Sequence, residues 1–289
     1  MIDNNMITAV MFVYNEEKYI NESLRSLLDQ TVPVDKIIVV DDFSTDNTRS
    51  ILERYNEVDI VRNEKKGMAY ACETGLELVD TDLFFLCHGD DVLRKNYVEE
   101  MYEFISDQKI KYAYSNCVMT DDELTPKQFI PKKKYYSKYD LLHDCFTGGY
   151  LFGYSEIIPS LLPFPDGMNI EDWYIAIVLS QRFGGNHLNN KPLFKYRRHQ
   201  DSDSTNFQNN RKKYLGFLHR TVDFLTLAGG FVSDHSSHKV IESRLQFYDA
   251  MINYRLSKTI IILSSDQYTW REKLSSFLFP ITLRLKYRG

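Results

Sequence analysis

An α/β fold with a mainly parallel central sheet flanked by helices is predicted by three observations. Strand-like and helical segments alternate through the first third of the chain, the apolar runs are short and end in polar turns, and acidic residues gather at those ends. Ile7 to Tyr14 is apolar and rich in β-forming residues, and Ile20, Leu24, Leu27 and Leu28 follow it at helical spacing. Lys36 to Val40 reads as a second buried strand; Asp41-Asp42-Phe43-Ser44-Thr45-Asp46 supplies turn formers before Ile51, Leu52 and Tyr55 resume the helical period. Val58 to Val61 reads as a weaker strand, Met68 to Val79 as a helix, and Leu83 to Cys87 as a buried strand that empties into Gly89-Asp90-Asp91.

From about Lys109 the order is less regular. Tyr112-Ala113-Tyr114 reads as a strand, Lys132-Lys133-Lys134 as a solvated loop, and Ser137 with Asp140 as a capping box opening a short helix. A polar stretch, Asp201 to Asn210, marks a boundary. Beyond it Tyr214, Phe217, Leu218, Val222 and Leu225, then Ile241, Leu245, Tyr248 and Ile252, fall at helical intervals, and strand character returns only at Ile260 to Leu263. A final helix puts Trp270, Leu274, Phe277, Leu278, Ile281 and Leu285 on one face among basic residues, with a kink at Pro280. It suits either an anionic membrane surface or packing against the main domain.

The 289 residues can bury a large core, and 43% hydrophobic with 26% charged residues is the composition of a folded protein rather than a disordered one. A net charge of -5, with no basic stripe dominating the first two hundred residues, gives no reason to expect nucleic acid as the partner. Cys72, Cys87, Cys117 and Cys145 are widely spaced, which indicates neither a zinc site nor a disulfide framework. No signal peptide opens the sequence and no membrane-spanning apolar run interrupts it, so a cytoplasmic location is expected.

Four segments carry the candidate chemistry. Asp90 and Asp91 place hard oxygen ligands at the carboxyl edge of a sheet, suited to Mg2+ or Mn2+ and so to a diphosphate; the bland alternative is that they cap a helix beginning near Lys95. Asp41 and Asp42 can accept a hydrogen bond from the imide of a uracil or thymine ring, with capping by Ser44 or Asp46 as the alternative for this turn. Phe12 to Glu17 delivers an aromatic ring and a polar turn to the same edge. Glu171-Asp172-Trp173 starts a helix, where the dipole keeps Asp172 ionised and able to accept a proton late in a reaction.

In this order and spacing, Tyr14-Asn15-Glu16, Val40-Asp41-Asp42-x-Ser44-Thr45-Asp46, Gly89-Asp90-Asp91, Glu171-Asp172 and Tyr196-Arg197-x-His199 resemble the family 2 glycosyltransferases of the GT-A (Rossmann-like) fold, over roughly residues 5 to 205. The resemblance implies a nucleotide-sugar donor, UDP- or dTDP-linked, a glycan or lipid-linked glycan acceptor, and Mn2+ or Mg2+. By position it implies that Tyr14 flanks the base, that Asp42 bonds it with support from Asp41, and that Glu16, Asp90 and Arg197 line the nucleotide-sugar site. Asp91 and His199 would serve the metal, Asp172 would be the general base of an inverting displacement, and Glu171 and Trp173 would shape the acceptor pocket.

The implied organisation is a catalytic domain over 1–205, with a nucleotide-sugar part to about 115 and an acceptor part over 116–205, followed by a helical extension over 206–289. Peripheral contact with the inner membrane face, through the terminal helix, and a role in bacterial surface polysaccharide synthesis are expected with it. His88 stands where many members carry an additional Asp, and Ala71-Cys72-Glu73 stands where many carry Ala-Arg-Asn. A non-catalytic scaffold of the same fold is the alternative, ahead of a sugar-1-phosphate nucleotidyltransferase, whose glycine-rich loop is absent after the first strand.

Overall fold

The computed structural model describes residues 5–129, 133–143, 150–199 and 211–253. The terminal helix around Trp270, the candidate strand Ile260 to Leu263, Lys132, and the boundary stretch 201–210 lie outside them. Two units result, Met1–Thr205 and Asn206–Gly289.

The first unit opens with β1 (Ile7–Val13), α1 (Ile20–Leu28), β2 (Lys36–Asp41), α2 (Thr48–Leu52), β3 (Val58–Arg62), α3 (Met68–Glu77) and β4 (Leu83–His88). It continues with β5 (Val92–Leu93), α4 (Tyr97–Gln108), β6 (Tyr112–Thr120), β7 (Pro126–Gln128), β8 (Tyr135–Tyr136), α5 (Lys138–His143), β9 (Leu151–Tyr154), α6 (Glu171–Phe183) and β10 (Asn186–Arg197). The strands form one sheet in the order β3-β2-β1-β4-β9-β6-β10-β5, with β7 on β6 and β8 on β10.

Pairing is parallel through β3, β2, β1 and β4. Beyond β4 the antiparallel β9 intervenes, after which β6 and β10 run parallel to each other. The carboxyl ends of β1, β2, β4, β6 and β10 therefore share one edge, the edge where open α/β sheets bind ligands.

Side-chain alternation along β1 builds the two faces. Ile7, Ala9, Met11 and Val13 join Ile20, Leu24 and Leu27 of α1, Leu52 of α2 and Tyr97, Val98 and Met101 of α4 in one apolar core. The opposite face takes α3, and the approach requires Gly75: a Cβ there would lie 2.3 Å from Val10 Cγ1 and 3.3 Å from Val40 Cγ2. At α5 the capping box forms, Ser137 Oγ donating to Asp140 Oδ2 at 2.7 Å while the Asp140 N–H donates to Ser137 Oγ at 3.2 Å.

In the second unit, α7 (Arg211–Ala228) and α8 (His235–Asn253) bury Leu218, Phe247 and Met251 together. Among the described residues no helix is long and apolar enough to cross a membrane.

Candidate active site

The loops after β1 and β2 are zipped together by side chains bonding backbone. The Asn15 N–H donates to Ser44 Oγ at 3.0 Å, and the Thr45 N–H returns to Asn15 Oδ1 at 2.7 Å. The Glu16 N–H donates to Thr48 Oγ1 at 2.7 Å and the Glu17 N–H to Asp46 Oδ2 at 3.0 Å. Burial pushes the Asp46 carboxyl up, but hydrogen bonds from Thr48 and Glu17 outweigh it and hold the group below the usual carboxylate range. Asn15 and Phe43 both take left-handed backbone, φ 57° and 63°, a conformation that costs a bulky residue about 1–2 kcal/mol. The loops are shaped at some expense of local stability.

Asp41 and Asp42 are both buried at this edge. Asp41 Oδ1 accepts the Ser44 N–H at 2.9 Å, while Asp42 accepts the Gly67 N–H at 2.8 Å and Asn63 Nδ2 at 2.9 Å, fixing the entry to α3. Tyr14 is exposed at the rim, with Lys66 Nζ 4.4 Å from its ring centroid.

Glu16, Asp90 and His199 offer ligand atoms that all lie within 4.8 Å of one another. His199 Nε2 is 3.3 Å from Asp90 Oδ2. Burial, then repulsion from Asp90, Asp91 and Asp46, pushes the Glu16 carboxyl up to about 9. Among the described residues Glu16 Oε2 is buried without a hydrogen-bond partner. Gly89 permits this convergence, because a Cβ there would sit 2.7 Å from Val13 Cγ1 and 3.3 Å from Glu16 Cγ. Two carboxylates, one with an unsatisfied oxygen, and an imidazole fit a divalent cation such as Mn2+ or Mg2+, whose charge would offset the acid repulsion.

Asp91 turns the other way. It is buried, accepts the Tyr150 hydroxyl, and takes the Arg197 N–H on Oδ1 at 2.7 Å, so both oxygens are engaged inside the protein. The expected pairing of Asp91 with His199 at a metal is thus replaced in the geometry by Asp90 with His199, and Glu16 joins them. Arg197, expected at the nucleotide sugar, is likewise buried and directs its side-chain nitrogens to Asp90, Asp122 and Glu22.

Glu171 and Asp172 open α6 and line a small cavity with His88, Cys72, Phe12, Leu86 and Ile175. Burial lowers the His88 pKa, opposed by Asp90 and Asp172, which places His88 within electrostatic reach of both the acid cluster and Asp172. Burial and then the charges of Glu171, Asp172 and Glu73 push the Cys72 thiol up, so it is an inert floor for the cavity. Trp173, expected at an acceptor pocket, is buried and donates Nε1–H to the Leu141 carbonyl of α5. Sequence reasoning missed Tyr19, Glu22 and Asp122, which lie just before α1, in α1 and in the β6–β7 turn and bond one another or Arg197; no local motif marks them.

Residues 8–156 match the family model described as glycosyl transferase family 2. The chain is 29% identical over 126 residues to TuaG of Bacillus subtilis, named for teichuronic acid biosynthesis, covering 42% of this chain and 50% of that protein. It thus spans half the length of that curated relative. WfgD of Escherichia coli, named as a UDP-Glc:alpha-D-GlcNAc-diphosphoundecaprenol beta-1,3-glucosyltransferase, is 27% identical over 210 residues, 71% of this chain and 82% of that protein. Among solved structures, the mannosyltransferase PcManGT of Pyrobaculum calidifontis, in complex with GDP-Man and Mn2+, superposes with a TM-score of 0.65 at 15% identity, over 99% of this chain and 82% of that one. The last likeness establishes the GT-A-like fold.

Proposed function

We propose that this chain, which belongs to glycosyl transferase family 2, moves a sugar from a nucleotide diphosphate sugar to a hydroxyl of a glycan or lipid-linked glycan by a metal-dependent, inverting displacement. The observation that carries the reading is the convergence of Glu16, Asp90 and His199 at the carboxyl edge of the sheet, with Asp172 at the start of α6 lining a cavity that His88 also lines.

In this reading Glu16, Asp90 and His199 hold the cation, and Tyr14 and Asp42 flank the base. A bound cation supplies positive charge against the leaving diphosphate. Asp172 takes the proton of the acceptor hydroxyl as that oxygen attacks the anomeric carbon from the face opposite the nucleotide. Bond formation and departure occur in one step, so an α-linked donor gives a β-linked product. The beta linkage and UDP donor in the name of WfgD support this choice of donor base and stereochemistry, and its diphosphoundecaprenol acceptor supports a lipid-linked acceptor. Residues to about 115 then carry the nucleotide sugar and 116–205 the acceptor, in the synthesis of a bacterial surface polysaccharide.

A screen of UDP- and dTDP-sugars with Mn2+, followed by analysis of the linkage formed, tests the proposal. Metal-dependent transfer with inverted configuration is expected; retained configuration, or binding of nucleotide sugar with no turnover on any acceptor, would reject the Asp172 role or favour a non-catalytic scaffold respectively.

A further inference from the structure

We infer that Arg197 is a positioning residue that sets the spacing of the cation ligands without touching substrate, an inference that rests on the metal reading above. Its exposure is 3%, and each nitrogen donates within the protein. The backbone N–H goes to Asp91 Oδ1 at 2.7 Å, Nε to the Asp90 carbonyl at 2.7 Å, one terminal nitrogen to the Asp122 carbonyl, and the other to Glu22 Oε2 at 2.7 Å. One guanidinium therefore ties the turn after β4, the turn after β6 and helix α1 to the end of β10.

The same group orders His199. The guanidinium carbon stands 4.7 Å from the Tyr19 ring centroid, and that ring stands 4.8 Å from the His199 ring. The Tyr19 hydroxyl donates to Asp122 Oδ1, so the ring is held at both ends of the arrangement. Asp90 is fixed through its own carbonyl and His199 through the Tyr19 face, two ligands reached from a single planar fork. A lysine could supply the charge but not the directed bonds.

Removing an outer partner of this kind weakens metal affinity by about 10–100-fold in known metal sites. The test is a Mn2+ titration of the full chain, followed by electron paramagnetic resonance of the free ion, with thermal unfolding as a fold control. Asp90→Asn is expected to abolish binding. Arg197→Lys, although conservative in charge, is expected to weaken it at least about tenfold. Tyr19→Phe, which keeps the ring and loses the hydroxyl bond, and Glu22→Gln are each expected to weaken it severalfold without altering the melting temperature.

If Arg197→Lys fails to fold, the Tyr19 and Glu22 variants decide alone. Wild-type affinity in every variant that folds, combined with lost binding in Asp90→Asn, would overturn the role of Arg197 and leave the metal site standing. Unchanged binding in Asp90→Asn would remove the metal site and this inference with it.

Discussion

The two ends of the candidate site are built differently. At the proposed nucleotide end, the loops after β1, β2 and β4 are fixed by dense bonding: Asn15 to Ser44 and Thr45, Glu17 to Asp46, Asp42 to Gly67, and Asp91 to Arg197. At the proposed acceptor end, Asp172 stands on the first turn of α6, its Oδ1 accepting the Trp173 N–H at 2.7 Å, beside a small cavity lined by Phe12, Cys72, Leu86 and Ile175 as well as His88 and Glu171. Side chain to backbone bonds brace the loops of one end around Glu16 Oε2, unpaired among the described residues, and the other end borders a cavity. A donor diphosphate needs fixed charges at fixed distances, whereas a group that takes a proton needs a place for the incoming hydroxyl.

Asp172→Asn should have the largest effect and break the acceptor end alone. Turnover should fall by about a hundredfold to ten-thousandfold while UDP and Mn2+ binding stay at wild-type strength, read by kinetics alongside calorimetry. Near-normal turnover would remove Asp172 from its role. Asp91→Ala breaks the nucleotide end through structure: the Tyr150 hydroxyl and Arg197 N–H lose their buried acceptor, and unfolding free energy should drop by about 3 kcal/mol in urea titrations. A fully stable variant with lost metal binding would instead make Asp91 a ligand.

Gly75→Ala probes the packing beneath both ends. The added methyl meets Val10 and Val40, and a loss of about 1–3 kcal/mol is expected by thermal or urea unfolding. The smallest effect belongs to Asp46→Ala, which removes the bonds to Thr48 and Glu17 and should cost about 1 kcal/mol. Because the folded-state pKa of Asp46 is lowered, its contribution is present above the unfolded value and is lost as pH falls through the folded one. The stability gap between wild type and variant, followed by unfolding from neutral pH into the acid range, should therefore close on acidification; a constant gap would mean that the carboxylate charge contributes nothing.

The strand ends were legible because each is local: an apolar run, a turn, an acid. That reading placed Tyr14, Asp42, Asp90 and Asp172 near the carboxyl edge and at a helix start. The second half was less legible. β10 carries Asn189, Asn190, Lys191 and Pro192, poor strand formers, and holds its place through pairing with β6 despite a register shift at Pro192. The choice between Asp90 and Asp91 was beyond local reasoning for the same cause: Asp91 is turned inward by Tyr150 and Arg197, 59 and 106 residues away in sequence. Adjacent carboxylates look alike until distant partners claim one of them.

Calorimetric titration of UDP with and without Mn2+, on wild type and on Asp90→Asn, bears most directly on the claim that Asp90 with Glu16 and His199 grips the cation. Metal should strengthen UDP binding in wild type and have no effect in Asp90→Asn. The same metal-dependent gain in both proteins would contradict the account.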